Sequence, residues 1–354
     1  MNTPRARQQE SDQRRASLDS MGANAGSIRH ERTLEADSNV RLDLFIAEWL
    51  NTSRTQAATL IANGHALVNG TRERASYRPV ANDRLVVDVP VPETREITAE
   101  SIPLDVVYED DSLMVVNKPA GMVVHPAPGN WSGTLVNALM GRRSDVDDPN
   151  PTADRSGLVH RLDKDTSGLL LVAKSERVHR LLSAALAARR VSRRYAAMSW
   201  GHLDAETLTV DQPLARDPRD RKRMAVVHTG KAAKTTFHRL ARFDAVDLLR
   251  AHLHTGRTHQ IRVHLASIGH PIVGDDTYGG GGGRRIVFLP PQRHFLHAAW
   301  IRFRHPDTGQ EIDLRAPLPA DLRASLARVA NDDSLLEHPD PLDVFGFYRV
   351  THGS

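Results

Sequence analysis

The stretch at 157–175, GLVHRLDKDTSGLLLVAKS, carries the densest chemistry in the chain. Two apolar segments flank a polar turn that holds Arg161, Asp163, Lys164, Asp165, Thr166 and Ser167. In an extended backbone alternate side chains share a face, so Arg161, Asp163 and Asp165 point one way and His160, Leu162 and Lys164 the other. A bare Asp-x-Asp turn is most simply a charged hairpin. Here the alternation of charge is long and is framed by apolar strands. On physics alone that marks a candidate site.

Two further stretches carry reactive side chains. LHTGRTHQIRVH at 253–264 holds Arg257, Arg262 and the histidines His254, His259 and His264. These histidines lie five apart rather than at a helical zinc spacing, and the chain has no cysteine to complete a thiolate site. Histidines that cap, pack or contact phosphate fit the spacing better, and no metal is expected. RRYAA at 193–197 places Tyr195 behind a basic pair; alone it reads as a half-buried strand tyrosine.

The elements that must position these groups follow from pattern. The chain has 354 residues, 40% hydrophobic and 25% charged, which suits a soluble protein of two domains. The absence of cysteine excludes disulfides, thiol nucleophiles and iron–sulfur clusters. The N-terminal stretch has no signal-like apolar run and no segment is long enough to span a bilayer, so a cytoplasmic protein is expected. The net charge is +4 and the sequence pI about 9.5, and arginine dominates the basic residues; a polyanionic partner is indicated.

Residues 97–330 form the larger domain. Its short Val-, Ile- and Leu-rich segments, at 104–107, 113–116, 169–172, 246–253 and 301–303, are separated by Gly, Pro and Asp turns. One amphipathic helix lies between Ser175 and Arg190, with Val178, Leu181, Leu182, Ala185 and Leu186 on one face. Strands and helices do not alternate regularly, which predicts an α+β fold on a largely antiparallel sheet. The pentaglycine run at 279–283 reads as a flexible loop. Residues 331–354 read as a loosely held tail and residues 1–38 as a disordered one.

Residues 39–91 read as a small module: a helix through Leu42, Phe45, Ile46 and Trp49, then a second helix. Ser53 and Gln56 supply a capping box for the second, which stops at Asn63-Gly64. A strand at 66–68 and a closing strand at 85–89 follow, then a proline-containing linker at 90–92.

HRLDKDTSGLLLVAK resembles the signature of the RluA-type pseudouridine synthases, which isomerise uridine in ribosomal and transfer RNA. TGRTHQIRVH, RRYAA, VVNKPAGMVVHP, TGKAAKTTF and GHPIVGDDTYGG are similar to further segments of that family, although many relatives carry proline where Asp276 stands. The resemblance spans nearly all of residues 40–325 and implies the pseudouridine synthase fold. It makes Asp163 the catalytic carboxylate and has Arg161 hold the target base out of the stack. Arg262 becomes the partner of Asp163, with Arg257 the second choice. Tyr195 would stack on the base and share in the proton step, and Lys231 would contact phosphate. The reaction is an isomerisation with no gain of electrons or groups, so no cofactor is expected. Whether the carboxylate attacks the sugar or deprotonates it stays open. The target base must leave its stack to be reached, which suits an aromatic platform with an arginine beside it.

The module at 39–91 is similar to the alpha-L RNA-binding module of a small-subunit ribosomal protein, with Arg41 and Arg54 at the RNA-contacting places. It leans the reading towards the RluD branch and large-subunit ribosomal RNA; transfer RNA is the alternative. The arginine runs Arg189, Arg190, Arg193, Arg194 and Arg216, Arg219, Arg221, Lys222, Arg223 read as backbone contacts to RNA. A non-catalytic RNA-binding factor, the reading from another class, does not account for Asp163, Tyr195 and Arg262 together. A monomer is expected.

Overall fold

The computed structural model describes residues 27–90, 97–127, 129–142 and 157–349. Two compact units divide the chain, at residues 1–95 and 96–354. Among the described residues no helix is long and apolar enough to cross a membrane.

The first unit runs β1 (Ser27–Thr33), α1 (Leu42–Trp49), α2 (Arg54–Ala62), β2 (Ala66–Val68) and β3 (Arg84–Pro90). Its antiparallel sheet has the order β1-β3-β2. Leu42 and Ile46 of α1 and Ala57 and Ile61 of α2 pack with Leu85 and Val87 of β3. The capping box forms as the sequence predicts: the Gln56 amide N–H donates to Ser53 Oγ at 3.2 Å, and the Ser53 N–H to Gln56 Oε1 at 3.0 Å. The expected disordered tail needs correction. Residues 27–33 form β1, paired along its whole length with β3, and Leu34 enters the core. SIRHERT is too polar to read as a strand alone, and only its partner β3 supplies the hydrogen bonds. Residues 1–26 and the linker residues 91–96 lie outside the described residues.

The second unit is built on one nine-stranded sheet. In chain order its elements are β4 (Val106–Glu109), β5 (Leu113–Lys118), α3 (Leu135–Arg142), β6 (Ser167–Ala173), α4 (Glu176–Ala187), β7 (Ser192–Trp200) and β8 (Thr207–Asp211). Then come β9 (Leu214–Arg216), β10 (Met224–Val226), β11 (Lys234–Arg242), β12 (Val246–Leu253), α5 (Gln260–Ser267), β13 (Leu296–Arg304), β14 (Glu311–Arg315) and α6 (Ala320–Ala330). The strand order is β4-β5-β6-β13-β7-β12-β11-β8, with β14 on β13; β9 and β10 form a separate hairpin. Among the described strands only β6 and β13 run parallel. The sheet is therefore largely antiparallel, as expected.

Alternation along the strands divides the interior. Met114, Val116, Leu170, Val172, Tyr195 and Ala197 face α3 and α5. Leu113, Val115, Leu169 and Leu171 face α4, while Ala196, Met198 and Ala299 face α6. Ser175 caps α4, its side chain accepting the Val178 amide N–H, but Leu181 points to solvent rather than to the core. The strand expected at 104–107 lies two residues later.

Three expectations fail on packing. The C-terminal stretch is held down rather than loose. Short helices α7 (Ser334–Glu337) and α8 (Pro341–Val344) lead to Phe347, which is fully buried. The pentaglycine is not a free loop either. Gly280 N donates to the Asp275 carbonyl at 2.8 Å, and a Cβ at Gly280 would strike the Ile272 carbonyl, one at Gly283 the Trp200 ring. Here glycine serves close approach rather than mobility. Arg194, expected at a phosphate, is buried on the α6 side of the sheet. Its guanidinium sits 4.3 Å from the Trp300 ring centre and donates to the carbonyls of Tyr348 and Arg349. Arg250 donates to the carbonyls of Phe347 and Arg349 at 3.0 and 2.8 Å. Two buried guanidinium groups thus use the C-terminal backbone as their acceptors.

Phe347→Ala should therefore behave as a core substitution. A loss of about 3–5 kcal/mol is expected, which for a unit of this size lowers Tm by roughly 6–20 °C. A Tm within error of the wild type would show that the segment is only laid on the surface.

Candidate active site

A cleft of about 670 Å³ opens on the α3/α5 side of the second unit. Its walls come mainly from three parts of the chain: 158–163 before β6, the end of α4 with Arg189, Arg193 and Tyr195, and 253–262 from the end of β12 into α5. Asp163, Arg161, Tyr195, Arg257 and Arg262 all line it, so the structure gathers five of the eight residues singled out from the sequence. Lys231 does not line the cleft; it is exposed, next to Ala232, which does. Arg41 and Arg54 belong to the first unit.

Asp163 sits on a loop nailed down residue by residue. His160 accepts the Leu171 amide N–H on Nε2 at 3.0 Å, which leaves its hydrogen on Nδ1; burial drives its pKa down to about 3, so the ring is neutral. The Lys164 carbonyl takes an N–H from the Lys118 ammonium at 3.0 Å and one from Gly121 at 2.9 Å. Lys118 is fully buried, and burial pushes it down to about 7, with Asp165 and Asp163 opposing. Its other N–H groups go to the carbonyls of Pro119 and Met122, and three such acceptors favour the charged form. The Asp165 carbonyl accepts from Arg293 at 2.6 Å, Thr166 Oγ1 meets His294 Nε2 at 2.8 Å, and Ser167 Oγ meets His297 Nδ1 at 2.9 Å. At Gly168 the strand crosses the β13 backbone so closely that a Cβ would overlap Ala298. The TSG that follows the aspartates is thus the tie of the loop to β13.

Arg262 projects from α5, a helix buried on every side from Gln260 to Leu265, so it shows no amphipathic periodicity. It donates from Nη1 to Asp163 Oδ2 at 3.0 Å. Nε and Nη2 make a bidentate pair with Asp275 at 2.7 and 2.9 Å. Asp275 is completely buried and also accepts the amides of Thr277 and Tyr278. Burial works against the Arg262 charge, but the two carboxylates outweigh it and raise its pKa. Arg257 does not take this place: it is exposed and donates to the Ala232 carbonyl. Tyr195 is 4% exposed, and burial raises its phenol above the usual value.

The residues whose roles sequence reasoning missed are Asp275, His259, Tyr278, Lys118 and Arg293. GDDTYG at 274–279 was in view, but nothing local shows that its first aspartate binds an arginine thirteen residues upstream. Asp276, the family's departure, stands in an exposed ion pair with Arg284. The three histidines part company: His254 bonds Thr236, His259 bonds Tyr278, and His264 bonds Thr235 and the Gln212 carbonyl.

Arg262→Ala leaves Asp275 buried without its counter-charge, and a loss of about 3–5 kcal/mol in stability is expected. Arg257→Ala should leave Tm in place. The reverse pattern in thermal melts would show that Arg257, not Arg262, carries the buried ion pair.

Residues 112–267 match the RNA pseudouridylate synthase family, and residues 40–85 match the S4 domain. The uncharacterised RNA pseudouridine synthase YlyB of Bacillus subtilis is 44% identical, over 81% of this chain and 93% of its own length. Ribosomal large subunit pseudouridine synthase D of Salmonella typhimurium is 39% identical, over 86% of this chain and 94% of its own length. Among solved structures, human RNA pseudouridylate synthase domain containing 1 aligns with a TM-score of 0.50 at 27% identity, covering 69% of this chain and 98% of that one. With an aspartate and an arginine paired in the cleft and relatives matched nearly end to end, this chain belongs to the RNA pseudouridine synthase family.

Proposed function

We propose that this enzyme converts specific uridines of large-subunit ribosomal RNA to pseudouridine, with Asp163 as the reactive carboxylate. The observation that carries the mechanism is the asymmetry of that carboxylate. Asp163 lines the cleft; its Oδ2 is held by Arg262, while Oδ1 has no hydrogen bond among the described residues. A flipped uridine entering the cleft meets Oδ1 at its sugar. The bond from base nitrogen N1 to sugar C1′ breaks, the base turns, and C5 bonds to C1′. C5 gives up its hydrogen and N1 gains one, so atoms balance without a cofactor. Tyr195, in the cleft wall, offers the base an aromatic face, and Arg161 fills the gap left in the stack. The ribosomal target is supported by the relatives named for the large subunit.

The first unit has the S4 pattern and presents basic groups through an unexpected device. Asp43, 2% exposed, binds Nε of both Arg41 and Arg54 at 3.0 Å. The hydrogen bonds from Arg41 hold its carboxyl below the usual range. Both arginine side chains remain substantially exposed, so each keeps N–H groups for phosphate. Monomeric action in the cytoplasm fits this reading.

Asp163→Asn should abolish turnover and spare RNA affinity. The assay is release of tritium from a large-subunit ribosomal RNA transcript labelled at C5 of uridine. Turnover by this variant would remove Asp163 from the mechanism; release from transfer RNA alone would move the target. Arg41→Ala with Arg54→Ala should flatten the slope of log affinity against log salt by about 0.7–0.9 for each phosphate no longer neutralised. An unchanged slope would take the two arginines out of the RNA interface.

A further inference from the structure

His259 stands at the N-cap of α5, three residues before Arg262. Its backbone is left-handed, with φ 55°, a conformation uncommon for residues other than glycine and asparagine. That turn brings its imidazole back over the catalytic loop. Nε2 lies 3.8 Å from Asp163 Oδ1, the oxygen that Arg262 does not hold. On the other side Nδ1 lies 2.8 Å from the Tyr278 hydroxyl.

The tautomer follows from the hydrogen bonds around Tyr278. Its oxygen already accepts the Met224 amide N–H at 2.9 Å, and the residue is buried. If His259 donated from Nδ1, the buried Tyr278 hydroxyl hydrogen would have no acceptor, which is costly. The satisfied assignment has Tyr278 donating to Nδ1, which places the imidazole hydrogen on Nε2, towards Asp163. Burial lowers the His259 pKa, with Asp163 opposing, so the ring stays neutral and keeps that single donor.

We infer that His259 is a positioning residue for Asp163: in the substrate complex its Nε2–H donates to Oδ1 as the second arm of a clamp whose first arm is Arg262, with Tyr278 setting the tautomer. Catalytic hydrogen bonds are often long without substrate and close when it binds, and 3.8 Å is such a gap. A neutral N–H aligns the oxygen without a second positive charge competing for it. Asp275 anchors both arms, because it binds Arg262 and, through its carboxylate, the backbone amide of Tyr278. The inference rests on Asp163 being the reactive carboxylate.

The test is tritium release from the C5-labelled large-subunit transcript, with kcat and KM measured for His259→Ala, His259→Gln, Tyr278→Phe and the His259→Ala/Tyr278→Phe pair. Thermal melts accompany each. His259→Ala should lower kcat about 10–100-fold, the scale of a missing orienting hydrogen bond, with KM unchanged. His259→Gln restores a donor near the Nε2 position and should recover part of kcat. Tyr278→Phe should lower kcat alone but add little on top of His259→Ala, since the two act through one hydrogen bond. Wild-type kcat in His259→Ala, no recovery with glutamine, or independent losses in the double variant would each overturn the proposal. If His259→Ala does not fold, Tyr278→Phe decides: undiminished kcat would sink the tautomer argument. Turnover by Asp163→Asn in the same assay would mark a failure of the carboxylate reading itself.

Discussion

One guanidinium shared between two carboxylates organises the second unit. Arg262 is buried on a short helix, and its charge is tolerable there only because Asp275 is wholly buried against it and Asp163 completes the set. A buried charge without partners would be destabilising by several kcal/mol. The helix α5, the turn at 275–278 and the loop at 160–167 are therefore mutually dependent. Moving any one of them separates charges that have no water to fall back on.

The loop that carries Asp163 shows the same restraint. Its carbonyls and hydroxyls are gripped by Lys118, Arg293, His294 and His297, residues from the end of β5 and from the approach to β13 and its start. The buried histidines and the lysine are polar groups paired inside the fold, which rigidify more than they stabilise. Such a mount holds the Asp163 carboxylate within a narrow range of geometry. The cleft walls, by contrast, gather segments far apart in sequence, so the site exists only in the completed fold.

What could be read from the residues follows that division. HRLDKDTSG, the tyrosine after the basic pair and the arginine of QIR were legible because each carries its identity locally. So was the Ser53 capping box, since a capping side chain bonds an amide two or three residues away. The role of Asp275 was not legible: a carboxylate in a turn gains meaning only from the guanidinium folded onto it. The strand at 27–33 escaped because its side chains are mostly polar and its partner β3 lies beyond both helices of the unit. Arg194 was misread for a related reason. Adjacent residues on a strand face opposite ways, so one arginine of a basic run lines the cleft and the next is interred beneath the C-terminal segment.

The place of β13 has a consequence for how the enzyme comes into being. Of the strands in its sheet only β14 leaves the ribosome later, yet β13 lies between β6 and β7 in the middle. Until residues 296–304 arrive, the loop bearing Asp163 and the strand bearing Tyr195 have no common neighbour to align them. Pairings between distant segments are slow to form and expose apolar edges while they wait. A nascent chain that has already produced every charged residue of the cleft would still be inert. An RNA enzyme born beside ribosomal RNA would acquire its chemistry only after the strand that bridges its two halves has emerged.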